Sequence, residues 1–249
     1  MVERKTPIGE LLVWLLVRSA MRRMFARVRC LAAENPRAAG VPLLGVANHP
    51  SWWDGYTALL CARHYGLSRY LMMEEAQLRR YPFFAWAGCF SVDRSDARDA
   101  ARSVAYAAHI LTTRPRPIIW LFPQADIVPP DRRPIATHPG AAHILRRATR
   151  DGRRVGLLPV AWQPIFRGEQ HPEIFVRIGA VQVYDYDAAR DIPASTRRIQ
   201  AAVTTELDTL QHDICTENLT TYRTILRGQA GVNDLFDRVL RRARLVDEP

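Results

Sequence analysis

Between Ile8 and Cys30, apolar residues recur at steps of three and four (Leu11, Trp14, Val17, Met21, Met24, Phe25, Val28), while Arg18, Arg22, Arg23, Arg27 and Arg29 fall between them. That spacing predicts one helix with an apolar stripe and a basic face. Asn35, Pro36 and Gly40 then break the pattern. Further on, short apolar runs alternate with longer helical stretches. "PLLGVAN" reads as a buried strand, residues 55–65 as a helix, and "SRYLMME" as a second strand. "LRRYPFFAWAGCFSVDR" reads as a short helix running into a turn and a strand. An Ala-rich helix over residues 97–113 precedes the strand "RPIIWLFPQ", which stops at Pro123. After a turn-rich stretch come a helix over residues 141–149 and two more strands, "RRVGLLPVAWQ" and "IFVRIGAVQV". The last sixty residues read as helical, with Ser195 or Thr196 as an N-cap and a final Arg-rich helix from Asn233.

Strands separated by helices of ten or more residues predict an α/β fold, with a largely parallel central sheet flanked by helices. Three regions follow: an amphipathic, basic helix at 1–34, an α/β core at 35–190 and a helical C-terminal region at 191–249 packed on that core. In sheets of this kind chemistry sits in the loops after the carboxyl ends of the strands.

Length and composition narrow the class. At 249 residues and 48% hydrophobic, the chain can bury a full core. Its four cysteines have no CxxC spacing, which fits a reducing compartment and gives no zinc pattern. His138 and His143 also lack the spacing of a helical zinc pair, so no metal is expected. The net charge of +10 favours an anionic partner. Lys5 is the only lysine, and arginine supplies the rest of the positive charge. No apolar run reaches the roughly 18 residues that a bilayer span needs. The N-terminal helix instead has the pattern of one lying in a membrane interface, with Trp14 inserted and Arg18, Arg22 and Arg23 at headgroup level; the alternative is a helix packed on the core with solvated arginines. The placement this implies is peripheral or monotopic, on the cytoplasmic face of the membrane. A nucleic-acid partner is not expected, because no recognised module or aromatic-basic platform is present.

The loop "ANHPSWWDGY" (residues 47–56) holds more chemistry than a turn requires. His49 can act as a general base, and Asp54 can fix its tautomer and stabilise the imidazolium. Five positions apart, the two meet only across a loop-to-helix transition, which Pro50 and Gly55 allow. The plainer alternative is that Asp54 caps the next helix and His49 satisfies a backbone group.

Four blocks, in order, make the reading more specific. "NHPSWWD" matches the His, four residues, Asp motif of the glycerolipid acyltransferases, the group that includes lysophosphatidic acid and glycerol-3-phosphate acyltransferases. "GCFSVDR" (residues 88–94) is similar to that family's second block, "LFPQ" (residues 121–124) to its third and "LLPVA" (residues 157–161) to its fourth. "HPGAAHIL" falls where the family has a Gly-Ala helix start, and the resemblance spans about Pro42 to Gly179.

The resemblance implies an O-acyltransferase of lipid metabolism that needs no cofactor beyond its co-substrate, acyl-CoA or acyl-carrier protein. It places His49 as general base and Asp54 as its orienting carboxylate. Asn48, Ser51, Arg94, Phe122, Pro123, Gln124 and Gly140 become candidate substrate-binding residues, with Arg94 at the position that holds an acceptor phosphate. The third block departs from the family's Phe-Pro-Glu-Gly-Thr-Arg: here it reads Phe122, Pro123, Gln124, Ala125, Asp126, Ile127. The carboxylate, the glycine and the arginine are all gone, with Arg132 or Arg133 as possible replacements for the last. The expected acceptor is therefore a lipid hydroxyl other than glycerol phosphate, such as that of a glycolipid or a glycosylated isoprenoid (a carotenoid glycoside). The alternatives are a 1-acylglycerol-3-phosphate acyltransferase of phospholipid synthesis and a non-catalytic lipid-binding member of the fold.

Overall fold

The computed structural model describes residues 2–229 other than Glu169, together with residues 231 and 236. The helix placed at Asn233 lies outside these residues.

The order of elements is α1 (Pro7–Met24), β1 (Arg27–Ala32), β2 (Leu43–Ala47), α2 (Asp54–His64), β3 (Ser68–Glu74), α3 (Glu75–Arg80), β4 (Cys89–Val92), α4 (Ala97–Thr113), β5 (Pro117–Leu121), α5 (Gly140–Ala148), β6 (Val155–Ile165), β7 (Glu173–Ile178), β8 (Gln182–Tyr184), α6 (Tyr186–Ala189), α7 (Ile192–Cys215) and β9 (Arg223–Arg227). The strands form one sheet in the order β4-β3-β5-β2-β6-β7-β1-β9, with β8 pairing β6. Its two faces carry separate apolar cores. Val13, Val17 and Met21 of α1, with much of α2, pack on one face. The other face is covered by α4, α5 and α7. Gly45 in β2 makes room for the indole of Trp120, since a Cβ there would lie 2.7 Å from the ring.

The sheet is mixed rather than largely parallel. The pairings among β2 to β6 that carry the expected α/β pattern are parallel, as is β1 with β7. The pairs β6–β7, β6–β8 and β1–β9 are antiparallel. The reason lies in connection length: residues 166–172 joining β6 to β7 are too few for the crossover of a dozen or more residues that parallel neighbours need. The run "IFVRIGAVQV" is accordingly two strands broken at residues 179–181.

The N-terminal helix is shorter than expected, and the predicted stripe is not one face of it. α1 starts on Pro7 with Thr6 as N-cap, its side chain accepting from the Gly9 N–H, and stops at Met24. Phe25 and Val28 lie beyond it, and residues 27–32 form β1, where Val28 and Cys30 point inward with the period of two of a strand. Within the helix, Gly9, Val13, Val17 and Met21 face the core. Ile8, Leu11, Leu12, Leu15, Leu16 and Met24 are exposed. Trp14 is half-buried beneath the Arg63 guanidinium, 4.6 Å from its ring centre. At the other end of the chain, α7 is capped by Asp191, which accepts from the Ala194 N–H, and Ser195 is buried inside the helix. β9 appears where only helix was expected.

Candidate active site

The loops after β2, β3, β4 and β5 converge at the carboxyl edge of the parallel strands. β2 ends at Ala47, and the chain passes through residues 48–53 into α2, whose first residue is Asp54. This turn brings His49 Nδ1 to 2.6 Å from Asp54 Oδ2. Asp54 is only 1% exposed. Its carboxylate also accepts from the Ser51 N–H at 2.9 Å and the Ser51 hydroxyl at 2.7 Å. Burial pushes the Asp54 carboxyl above the usual carboxylate range, and the hydrogen bonds from His49 and Ser51 oppose that rise. The imidazole lies flat on Phe122, with ring centres 4.4 Å apart.

The neighbouring polar residues fix the loop. Asn48 is buried and forms a closed pair of bonds with the Trp162 backbone, donating to its carbonyl at 3.0 Å and accepting its N–H at 2.9 Å. This clamp ties the exit of β2 to β6. Gln124, also buried, accepts the His49 backbone N–H at 2.8 Å, and the His49 carbonyl accepts from the Val128 N–H at 2.9 Å. Gln124 stands on a turn closed from the Ala125 N–H to the Phe122 carbonyl, and Ala125 sits at φ +66°. That left-handed conformation suits the glycine of the related pattern and is strained for alanine.

A cavity of about 630 Å³ opens beside His49, lined mostly by apolar side chains. Its walls come from both cores: Tyr56, Leu59 and Leu71 from the α1–α2 side, Met72, Val104 and Ala141 from the α4–α5 side. His49, Arg94, Phe122, Pro123 and Gly140 border it. Asn48, Ser51 and Gln124 do not; the structure turns them to the loop and to Asp54. Trp52 is half-exposed on the cavity wall, whereas Trp53 packs edge-on against Phe25 and Tyr56.

Arg94 is the expected anion receptor, yet it is engaged. Its guanidinium meets Asp126 at 3.1 Å and Glu74 at 3.9 Å. The partner is thus the aspartate of the altered third block rather than Asp93 or Asp96 beside it in sequence. Arg133 does not compensate, because it is tied to Asp208 and Gln211 of α7. Arg132 does not border the cavity either. His138, by contrast, lines the cavity, with its backbone N–H on the Pro123 carbonyl at 2.8 Å. Its place at the site is legible only once the turn-rich segment is folded back over β5.

The Acyltransferase family model matches residues 27–163, which includes all four sequence blocks and most of the cavity wall. The chain belongs to this family, the glycerolipid acyltransferases. No curated protein matches it significantly. The family establishes an acyltransferase enzyme, and the matched segment begins at β1, so α1 lies outside it. No helix among the described residues is long and apolar enough to cross a membrane.

Proposed function

We propose that this acyltransferase moves a fatty acyl group from acyl-CoA or acyl-carrier protein to the hydroxyl of a membrane lipid whose head is not a free phosphate monoester. A glycolipid or a glycosylated isoprenoid fits that description. The observation that carries the reading is the His49–Asp54 contact of 2.6 Å beside an apolar cavity large enough for an acyl chain. With its Nδ1–H donated to Asp54, His49 keeps the Nε2 lone pair for the acceptor hydroxyl. As Nε2 takes that proton, the oxygen attacks the thioester carbonyl. The tetrahedral oxyanion then collapses, the C–S bond breaks, and the leaving thiolate takes the proton back from His49. No acyl-enzyme is formed.

The acceptor class rests on the Arg94–Asp126 pair. A guanidinium already matched by one carboxylate, with a second nearby, offers little to a phosphate. Membrane attachment is proposed through the outward face of α1, where Ile8, Leu11, Leu12, Leu15 and Leu16 are exposed and Arg18, Arg22 and Arg23 follow in the last turns.

The test is transfer of labelled acyl groups from acyl-CoA, and separately from acyl-carrier protein, into a total lipid extract. Wild type should yield one labelled product, and His49→Ala should lower the rate by roughly 100- to 10,000-fold. Transfer undiminished in His49→Ala would overturn the mechanism, and no transfer from either donor would favour a lipid-binding role instead.

A further inference from the structure

The cavity wall includes a charge that lies outside every family block. Arg69, the second residue of β3, is 3% exposed and borders the cavity. Through Ile118 of β5 it stands level with Leu43, the first residue of β2. Four residues of strand separate that level from the end of β2, about 13 Å at the usual rise. His49 lies beyond the far end. Arg69 and Leu71 share a strand face by alternation, so the guanidinium lies down the same wall as the apolar lining.

Its hydrogen bonding is incomplete. One terminal nitrogen donates to the Ala87 carbonyl, and Nε is buried with no acceptor. Gly88 shapes this corner at φ +90°, where a Cβ would lie 2.6 Å from the Arg69 carbonyl oxygen. Among the described residues, no carboxylate lies within ion-pair distance of the guanidinium. Glu10 of α1, whose charge acts on Arg69, pairs with Lys5 at 3.6 Å, and the Lys5 ammonium bonds the Ser68 hydroxyl and the Arg69 carbonyl. A buried guanidinium short of acceptors is destabilising unless something completes it. His49 and Arg69 both border the cavity, at levels about 13 Å apart along the strands, an arrangement that suits a chain with an oxygen at its far end.

We propose, on the acyl-transfer reading of this cavity, that Arg69 selects acyl chains bearing an oxygen acceptor at the end remote from the thioester, a carboxylate best. A methyl terminus leaves the guanidinium unmatched, whereas a terminal carboxylate completes it with a charge-assisted bond.

The proposal is tested by calorimetric binding of α,ω-dicarboxylic acids against monocarboxylic acids of equal length to the whole chain, with ω-hydroxy acids as a third series. The diacid should bind roughly tenfold or more tightly than the monoacid at the best length, with the hydroxy acid between them. Arg69→Met should remove that preference. Equal or weaker binding of the diacid to wild type overturns the proposal without recourse to a variant, and so does a preference that persists in Arg69→Met. Because a free carboxylate can face either Arg69 or Arg94, the comparison with Arg69→Met, in which Arg94 is unchanged, isolates the contribution of Arg69. Diacid preference without acyl transfer from any thioester would defeat the acyltransfer reading and leave the chain-end site standing. Transfer that favours methyl-ended chains would do the reverse.

Discussion

Asp126 stands one residue beyond a strained Ala125 and holds the guanidinium that the family motif would leave for phosphate. Because the pair is largely exposed, its energy is small, and the effect of removing it should be modest. Asp126→Asn is expected to improve kcat/KM for a phosphate-bearing acceptor such as lysophosphatidic acid by roughly two- to fivefold, with little change for a neutral glycolipid. Equal gains for both would show that Asp126 does not govern acceptor charge. Asp54 supplies a second residue-scale prediction. Asp54→Asn should cut transfer on the order of a thousandfold, since it disturbs the tautomer that leaves Nε2 free. Its stability has a defined pH signature. A carboxyl whose folded pKa is raised keeps its proton longer than in the unfolded chain. Its stabilising contribution is complete below the ordinary aspartate range and is lost as pH rises through the raised folded value. Denaturation of wild type and Asp54→Asn across that window should therefore show wild type losing ground to the variant as pH increases; a difference independent of pH would contradict it.

At the scale of elements, α1 serves two surfaces. Its Val13, Val17 and Met21 edge belongs to the core, and Val17 reaches the cavity wall, so the helix is tied to the site as well as to the outside. The exposed leucines occupy the first turns and the arginines the last. Replacing Leu11 and Leu15 with serine should weaken binding to vesicles containing anionic lipid by roughly tenfold or more, since each buried leucine is worth about 1.5–3 kcal/mol. Thermal stability should hardly move, because neither side chain is buried in the protein. Unchanged vesicle binding in sedimentation would remove α1 as the contact. The loop from β2 to α2 shows the same economy. Asn48 and Gln124, expected to meet substrate, hold the backbone instead: Asn48 clamps the residue before His49 and Gln124 accepts the His49 N–H, while the Val128 N–H holds the His49 carbonyl.

For the whole molecule, a net charge of +10 adds a long-range attraction to an anionic surface that fades within a Debye length of about 10 Å at 0.1 M salt. Vesicle binding measured between low and high ionic strength should fall steeply for anionic vesicles and stay weak throughout for neutral ones; salt-independent binding would leave the leucines as the sole source. The sequence by itself determined the helix at 97–113, the strand 68–74, the order of the blocks and a spacing that lets His49 meet Asp54 across one turn. These are set by local periodicity, by Pro and Gly, and by a spacing short enough for one turn to close. Tertiary structure alone decided that the sheet is mixed, because pairing direction follows connection length and the partner's position. It also decided that residues 27–32 leave the helix, because Val28 and Cys30 gain parallel partners in β7, far along the chain. Likewise Asp126 reaches Arg94 from 32 residues away, and the Lys5 ammonium reaches the Arg69 carbonyl from 64 residues away. Long-range contacts of this kind leave no period in a sequence, since charge and burial are properties of the folded neighbourhood.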